Sequence, residues 1–100
     1  MPYYKLVRDK IPEIIKAKGI NPTNHIASDE EFNIALLNKL KEEVEEFIEE
    51  PSREEMADIM EVIYAILRQQ QFTFEEIEEV RKKKVEERGS FEKKIIAFIK

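Results

Sequence analysis

The sequence predicts an all-α protein, built as an antiparallel helical bundle with extended N- and C-terminal segments. The 100 residues contain only two glycines and four prolines, so few positions interrupt long helices. The Ser/Thr-x-x-Glu pattern that starts helices occurs three times, and apolar residues recur at helical spacing between these starts. The chain length corresponds to one domain that covers residues 1–100.

Each predicted helix has a start or stop signal of its own. Pro12 is tolerated in the first turn of a short helix that Gly19 ends. Capping boxes at Ser28, Ser52 and Thr73 start three longer helices, after a loop over 19–27. The predicted helices cover about residues 10–18, 29–50, 53–70 and 74–88.

The connections and the two termini complete the predicted arrangement. A connection of only three residues, 50–52, makes the second and third helices antiparallel neighbours. Residues 91–99 are rich in β-branched and aromatic side chains, which predicts a strand or an extended arm. Pairing of this segment with residues 3–7 is one arrangement that the pattern allows.

Composition excludes several classes of function. Without cysteine the chain has no disulfide, thiolate metal site or cysteine nucleophile, and a single histidine, His25, cannot build a histidine-rich centre. No apolar run approaches the ~20 residues that span a bilayer, and the N-terminus lacks the apolar stretch of a signal peptide. A net charge of −5 argues against binding nucleic acid through its phosphates. We therefore expect a cytoplasmic protein with neither a membrane nor a nucleic acid as partner.

The charges are unevenly distributed along the chain. Residues 1–20 contain five Lys and Arg residues against two acids, and residues 81–100 contain eight against three. Residues 42–61 contain ten acids against Arg53 alone. An acidic middle with basic ends fits a metal centre flanked by groups that hold an anionic ligand. Solvated helix faces with loosely paired charges remain the alternative.

Four acids do not fit a purely solvated face. In the second helix Glu43 lies at the edge of an apolar stripe, with Glu46 one turn later. The third helix is apolar almost all round, which predicts a buried helix, yet it carries Glu55 and Asp58. The apolar stripe of the second helix comprises Leu36, Leu37, Leu40, Val44, Phe47 and Ile48.

These two pairs of acids lie within a few turns of the same short connection and can face each other. Buried carboxylates must be protonated, paired with a cation or bound to a metal, and four convergent ones suit Mg²⁺, with Mn²⁺ as a substitute. A surface E-x-x-E is common in Glu-rich helices and is the alternative. The E-x-x-H elements of di-iron bundles and the loop of an EF-hand are absent from the sequence. Glu61 continues the series after Asp58 and stays outside the predicted set.

Residues 39–47 (KLKEEVEEF) and 54–59 (EEMADI) resemble the E-x-x-E and E-x-x-D signature of the MazG-like, all-α nucleotide pyrophosphohydrolases. The opening 4–15 (YKLVRDKIPEII) and the closing 87–93 (ERGSFEK) resemble one branch of this superfamily, which includes phosphoribosyl-ATP pyrophosphohydrolase. The resemblance covers nearly the whole chain except residues 19–31. One departure is that only eight residues separate Glu46 from Glu55, fewer than in many relatives.

The resemblance implies an enzyme that hydrolyses a nucleoside triphosphate to a monophosphate and pyrophosphate with Mg²⁺. Modified, non-standard nucleotides are the first expectation for its substrate, and phosphoribosyl-ATP of histidine biosynthesis is the second. The catalytic and metal-binding residues would be Glu43, Glu46, Glu55 and Asp58. A non-catalytic helical dimerisation module is the third interpretation.

Basic residues at both ends of the chain are candidates for substrate binding. A triphosphate carries about four negative charges, which an acidic site accepts only through metal ions and basic side chains. The candidates are Lys5, Arg8, Lys10, Lys84 and Arg88, although each is also explained as an ordinary surface cation. An all-round apolar third helix further predicts a homo-oligomer, a dimer or a tetramer, with the active site near the subunit boundary.

Overall fold

The computed structural model describes residues 4–99, and within them the chain forms four helices and no strand. This confirms the predicted all-α class. The helix bounds also agree with the start and stop signals to within a residue. The helices are α1 (Ile11–Ala17), α2 (Asp29–Glu49), α3 (Arg53–Gln70) and α4 (Phe74–Arg88).

The three predicted N-caps form as hydrogen bonds. The hydroxyl oxygens of Ser28, Ser52 and Thr73 each accept a hydrogen bond from the backbone N–H three residues later, at 3.1–3.2 Å. Among the described helices only α4 has the complete capping box, in which Glu76 accepts from the Thr73 N–H at 3.2 Å. The glutamate of the box in α3, Glu55, points elsewhere.

The centre of the fold is the antiparallel hairpin of α2 and α3. These two helices pack along each other, and Leu36 and Val62 are the buried apolar side chains between them within residues 4–99. Helices α1 and α4 cover little of this hairpin. The radius of gyration is 17.9 Å, whereas a compact chain of this length has one of about 13 Å. The single chain is therefore an open, elongated assembly of helices.

The apolar stripe predicted on α2 separates into two faces. Leu36 is buried against α3, but Leu37 and Ile48 are 59% and 72% exposed, and Val44 is exposed as well. Three of the six residues of the apolar stripe are therefore exposed within residues 4–99. At 100° per residue Leu37, Val44 and Ile48 lie about 80–120° around the helix from Leu36, and α3 is the helix that packs extensively along α2 in residues 4–99.

Helix α3, predicted to be buried with the help of a second subunit, is only partly buried within residues 4–99. Met56, Met60, Ile63 and Tyr64 are 37–46% exposed, and Val62 is the buried residue of the helix. The apolar ring is real in the sequence, but α2 covers one side of it. One neighbouring helix cannot enclose a helix that is apolar all round.

The described parts of both terminal segments lack regular structure. Residues 4–10 and 89–99 contain neither helix nor strand, so the strand pairing that the pattern allowed does not form within residues 4–99. Residue 3, part of that predicted pairing, lies outside the described residues. The C-terminal segment exposes large apolar side chains, with Phe91 and Ile96 at 97%. No helix of residues 4–99 combines the length and apolar character that crossing a bilayer requires.

Candidate metal centre

Three carboxylates meet where α2 and α3 approach their connection. Glu43 comes from α2, and Glu55 and Asp58 come from the first two turns of α3. One oxygen from each of the three lies within 4.8 Å of the others. The spacing of three residues places Glu55 and Asp58 on adjoining faces that both look toward α2. We call these three residues the acidic triad.

The triad includes carboxylate oxygens that no other group of the described chain satisfies. Glu43 is only 6% exposed, and its Oε2 is buried without a hydrogen-bond partner. The Oε2 of Glu55 is buried and unpartnered in the same way. A buried acceptor that lost its water and gained no donor costs about 1–3 kcal/mol. The arrangement is therefore unfavourable for the protein alone, and a cation would relieve it.

Burial raises the pKa of the Glu43 carboxyl above its ordinary value of 4.5. The ammonium of Lys39, 3.3 Å from Glu43 Oε1, opposes this rise in pKa. The nearby carboxylate of Glu46 adds to it, because two like charges oppose ionisation of one another. Desolvation has the largest effect of the three, so Glu43 holds its proton more tightly than an exposed glutamate does.

The orientation of Glu55 explains why its capping box is incomplete. Its backbone N–H donates to the Ser52 hydroxyl at 3.1 Å, as a capping box requires. Its carboxylate does not accept from the Ser52 N–H but belongs to the acidic triad. The side chain thus gives up a local hydrogen bond that Glu76 makes in α4. The glutamate of this capping pattern therefore contributes to the acidic triad and does not complete the cap.

The fourth predicted acid, Glu46, lies beside the triad rather than within it. Its side chain is exposed, and it acts electrostatically on Glu43. Residues three apart on a helix differ in direction by about 60°, so Glu46 lies at the margin of the site when Glu43 points inward. Glu61 is also outside the triad, because it is exposed and lies 3.8 Å from Arg68.

Two of the predicted basic residues lie against the acids of the hairpin. Arg8 donates from Nη2 to Asp58 Oδ1 at 2.7 Å, so a member of the acidic triad already has a cation. Lys5 Nζ lies 2.5 Å from Glu42 Oε1, and the hydrogen bond from Lys5 lowers the pKa of Glu42. The segment before α1 therefore brings positive charge to both helices of the hairpin.

The other three predicted basic residues are not brought to the triad within the described chain. Lys10 is the exposed N-cap residue of α1, and it makes no side-chain capping bond there. Lys84 and Arg88 are exposed on α4, a helix that does not pack along the hairpin in residues 4–99. Their predicted contact with phosphates therefore needs another element or another copy of the chain.

Two residues of the site were missed by sequence reasoning. Lys39 lies between Glu42 and Glu43, at 3.7 and 3.3 Å, and it precedes Glu43 by four residues on the same helix. This spacing is the usual signal for a helical ion pair and could have identified Lys39. The second is Glu42, an acid outside the four predicted ones, which Lys5 and Lys39 both contact.

The donor set of the triad fits a hard divalent ion. Oxygens bound to one octahedral ion at about 2.1 Å lie roughly 3 Å apart when adjacent and roughly 4 Å apart when opposite. The triad oxygens all lie within 4.8 Å of one another, so small side-chain rotations would close the set around one ion. Three carboxylates without histidine or cysteine favour Mg²⁺ or Mn²⁺ over softer metals.

Comparison with known proteins identifies one partial likeness and no family. A protein of Mycolicibacterium smegmatis, described as uncharacterized, is 52% identical over 42 residues. This stretch covers 42% of the present chain and 43% of the other protein. No family model and no solved structure matches the chain.

Proposed function

We propose that this chain is a Mg²⁺-dependent nucleotide pyrophosphohydrolase. It would hydrolyse the bond between the α- and β-phosphates of a nucleoside triphosphate, with water adding across that bond to give a monophosphate and pyrophosphate. Modified, non-standard nucleotides are the substrates that we expect first. One observation carries the proposal, namely the pair of buried, unpartnered oxygens of Glu43 and Glu55 beside Asp58. The likeness of the acidic motifs to those of the MazG-like superfamily supports it.

The acidic triad would hold the metal ion, and the ion supplies charge neutralisation and a bound water of lowered pKa. Around the triad, the chain itself supplies the cations Arg8, Lys5 and Lys39. Their positive charges oppose the repulsion between the carboxylates and a phosphate chain, and a guanidinium matches the geometry of phosphate oxygens. The same cluster thus combines oxygen ligands for a cation with donors for an anion.

Glu46 has two roles open to it, because it is exposed at the margin of the triad. It would either complete the ligand set or accept a hydrogen bond from the attacking water as a general base. Glu46→Gln separates these roles. Loss of Mn²⁺ affinity indicates a ligand, whereas intact Mn²⁺ binding with slow turnover indicates a base.

The activity is tested by measuring pyrophosphate release from a panel of standard and modified nucleoside triphosphates, with phosphoribosyl-ATP included. Glu55→Gln and Asp58→Asn should abolish release, and EDTA should do the same. Glu61→Gln is the matched control, because it removes one exposed carboxylate from the same helix and should leave release unchanged. Activity on phosphoribosyl-ATP alone would select the second substrate. Absence of metal-dependent release from every compound would favour the non-catalytic module.

We further infer that the chain functions as a homo-oligomer, a dimer or a tetramer, through the exposed apolar faces of the hairpin. On α2, the exposed apolar residues and Lys41 follow the alternating three- and four-residue spacing of helices that pair side by side. Exposed apolar residues on α3 recur at similar spacing. The residues are Ile34, Leu37, Val44 and Ile48 on α2, and Met56, Met60 and Ile63 on α3.

The two faces lie on the same side of the hairpin. On each helix the exposed face lies roughly 120° around the axis from the packed face, in the direction of the helix turn. In an antiparallel pair this rotation turns both exposed faces toward the same side. A second copy offers the identical surface, and apposing the two by a two-fold axis would make a bundle of four long helices. The elongated single chain would thereby gain the core that it lacks.

Light scattering coupled to size-exclusion chromatography tests this inference. The unaltered chain should elute at a multiple of 11.9 kDa. Leu37→Glu, which places a charge within the α2 face, should shift the chain toward the monomer, and Glu45→Gln on the same helix should not. Elution of the unaltered chain as a monomer at tens of micromolar would contradict the inference.

A further inference from the structure

The segment that precedes α1 reaches both helices of the hairpin. We call residues 4–10 the N-terminal strap. Its Lys5 lies against Glu42 of α2, and its Arg8 lies against Asp58 of α3. The two contact residues are three positions apart, so even a fully extended chain separates their Cα atoms by at most about 10 Å. The strap therefore lies over the acids at one end of the hairpin.

Arg8 and a bound divalent ion would compete for the same carboxylate. The Asp58 oxygen that accepts from Arg8 Nη2 belongs to a residue of the acidic triad. An arginine keeps its positive charge at every relevant pH, so deprotonation cannot remove this competition. The ion pair is nevertheless weak, because both side chains are solvent-accessible, at 58% for Arg8 and 38% for Asp58. A divalent ion is therefore able to displace it.

We infer that Arg8 exchanges partners between the two stages of binding. It neutralises Asp58 before the ion binds, and it is released to a phosphate of the nucleotide when the ion takes the carboxylate. This inference rests on the proposed function and adds a regulatory step to the same site. Arg8 has five N–H donors and Asp58 engages one Nη, so donors for phosphate oxygens remain. The Lys5 contact with Glu42 keeps the released Arg8 near the site.

The exchange predicts opposite effects of one substitution on two binding constants. Without a nucleotide, Arg8→Gln should bind Mn²⁺ about two- to fivefold more tightly, because the competing cation is gone and exposed ion pairs have small energies. With the ion present, the same variant should bind the preformed Mn²⁺ complex of inorganic tripolyphosphate about tenfold more weakly. An arginine that only stabilises the fold would not produce this pair of opposite changes.

The measurements are Mn²⁺ titration followed by electron paramagnetic resonance and calorimetry with the tripolyphosphate complex. Arg68→Gln is the matched control, since Arg68 pairs with an exposed glutamate on the same helix as Asp58, outside the triad. Arg68→Gln should change neither constant. Arg8→Lys keeps the positive charge but not the forked guanidinium. This variant should still compete with Mn²⁺ for Asp58 and should lose part of the affinity for phosphate.

The outcomes separate this inference from the proposed function. Saturable Mn²⁺ binding by the unaltered chain, with unchanged or weaker Mn²⁺ binding in Arg8→Gln, would overturn the exchange and leave the metal centre intact. Unchanged tripolyphosphate affinity in Arg8→Gln would overturn it equally. If the unaltered chain bound no Mn²⁺, both the exchange and the proposed function would be wrong.

Discussion

Glu43→Gln is expected to stabilise the metal-free protein. Ionised Glu43 keeps Oε2 buried without a partner, whereas Lys39 already satisfies Oε1. A glutamine retains an acceptor for Lys39, carries no charge, and offers two N–H donors to the neighbouring carboxylates of the triad. Relief of one buried, unsatisfied oxygen contributes about 1–2 kcal/mol to the free energy of unfolding at pH 7. For a chain of this size the midpoint of thermal unfolding should rise by about 5–10 °C.

The stabilisation should depend on pH in a defined direction. The pKa of Glu43 is raised in the folded chain, so its contribution to stability is complete below its ordinary value of 4.5 and is lost as pH rises through the raised value. The advantage of glutamine should therefore be largest near neutral pH and nearly absent at pH 4. Thermal unfolding in EDTA, at fixed protein concentration and several pH values, measures both effects.

The control for this prediction is Glu45→Gln, an exposed position on the same helix with the same change of charge. It should alter the free energy of unfolding by less than about 0.5 kcal/mol. Millimolar Mn²⁺ should stabilise the unaltered chain and the Glu45→Gln variant. It should stabilise the Glu43→Gln variant much less. Destabilisation by Glu43→Gln in EDTA at pH 7, or equal effects of both variants, would show that the buried Glu43 oxygen does not destabilise the metal-free protein.

Three further predictions concern partners and caps. Lys39→Met should lower the free energy of unfolding by about 1–2 kcal/mol at pH 7, because it leaves both oxygens of Glu43 unpaired. The loss should be much smaller at pH 4, and denaturant unfolding at the two pH values measures both. Lys5→Gln should cost at most about 1 kcal/mol at pH 7, an effect that shrinks below pH 4 as Glu42 becomes protonated and also shrinks in high salt. Thr73→Ala should cost about 1 kcal/mol, because it removes the side-chain acceptor of the capping box in α4, and an effect below 0.3 kcal/mol in urea unfolding would contradict that role.

Local signals in the sequence were sufficient to predict the helices. Ser28, Ser52 and Thr73 each satisfy free N–H groups of the turn that follows, so the helix starts depend on a few neighbouring residues. Gly19 and Gly89 end α1 and α4 with a backbone φ of 83°, a conformation that glycine adopts without strain. These contacts span three to five residues, which is why a single sequence contains the information.

The burial of each helix face was less predictable, because it depends on which other helix packs against that face. The apolar ring of α3 predicted a buried helix, but in one chain only Val62 reaches that state. Hydrophobic periodicity records which faces avoid water, and it does not say whether the same chain or another covers them. Leu37 and Ile48 illustrate the difference, since both belong to the predicted stripe and both are exposed.

The candidate site was only partly predictable, because some of its contacts depend on helical spacing and others join segments that are distant in the sequence. Helical spacing and one short connection were enough to bring Glu43, Glu55 and Asp58 together. The pairing of Arg8 with Asp58 was not predictable, because residues 4–10 form no helix or strand and their path follows no periodic pattern. Contacts between segments fifty positions apart need the three-dimensional structure.

The most direct test of the metal centre is a crystal of the protein soaked with Mn²⁺ and examined for anomalous scattering. A metal ion held by the acidic triad should give one strong peak between α2 and α3, within about 2.0–2.6 Å of oxygens from Glu43, Glu55 and Asp58. A Glu55→Gln crystal soaked identically should show the peak weakened or gone. Peaks confined to exposed carboxylates such as Glu61, with nothing at the triad, would contradict a metal centre formed by Glu43, Glu55 and Asp58.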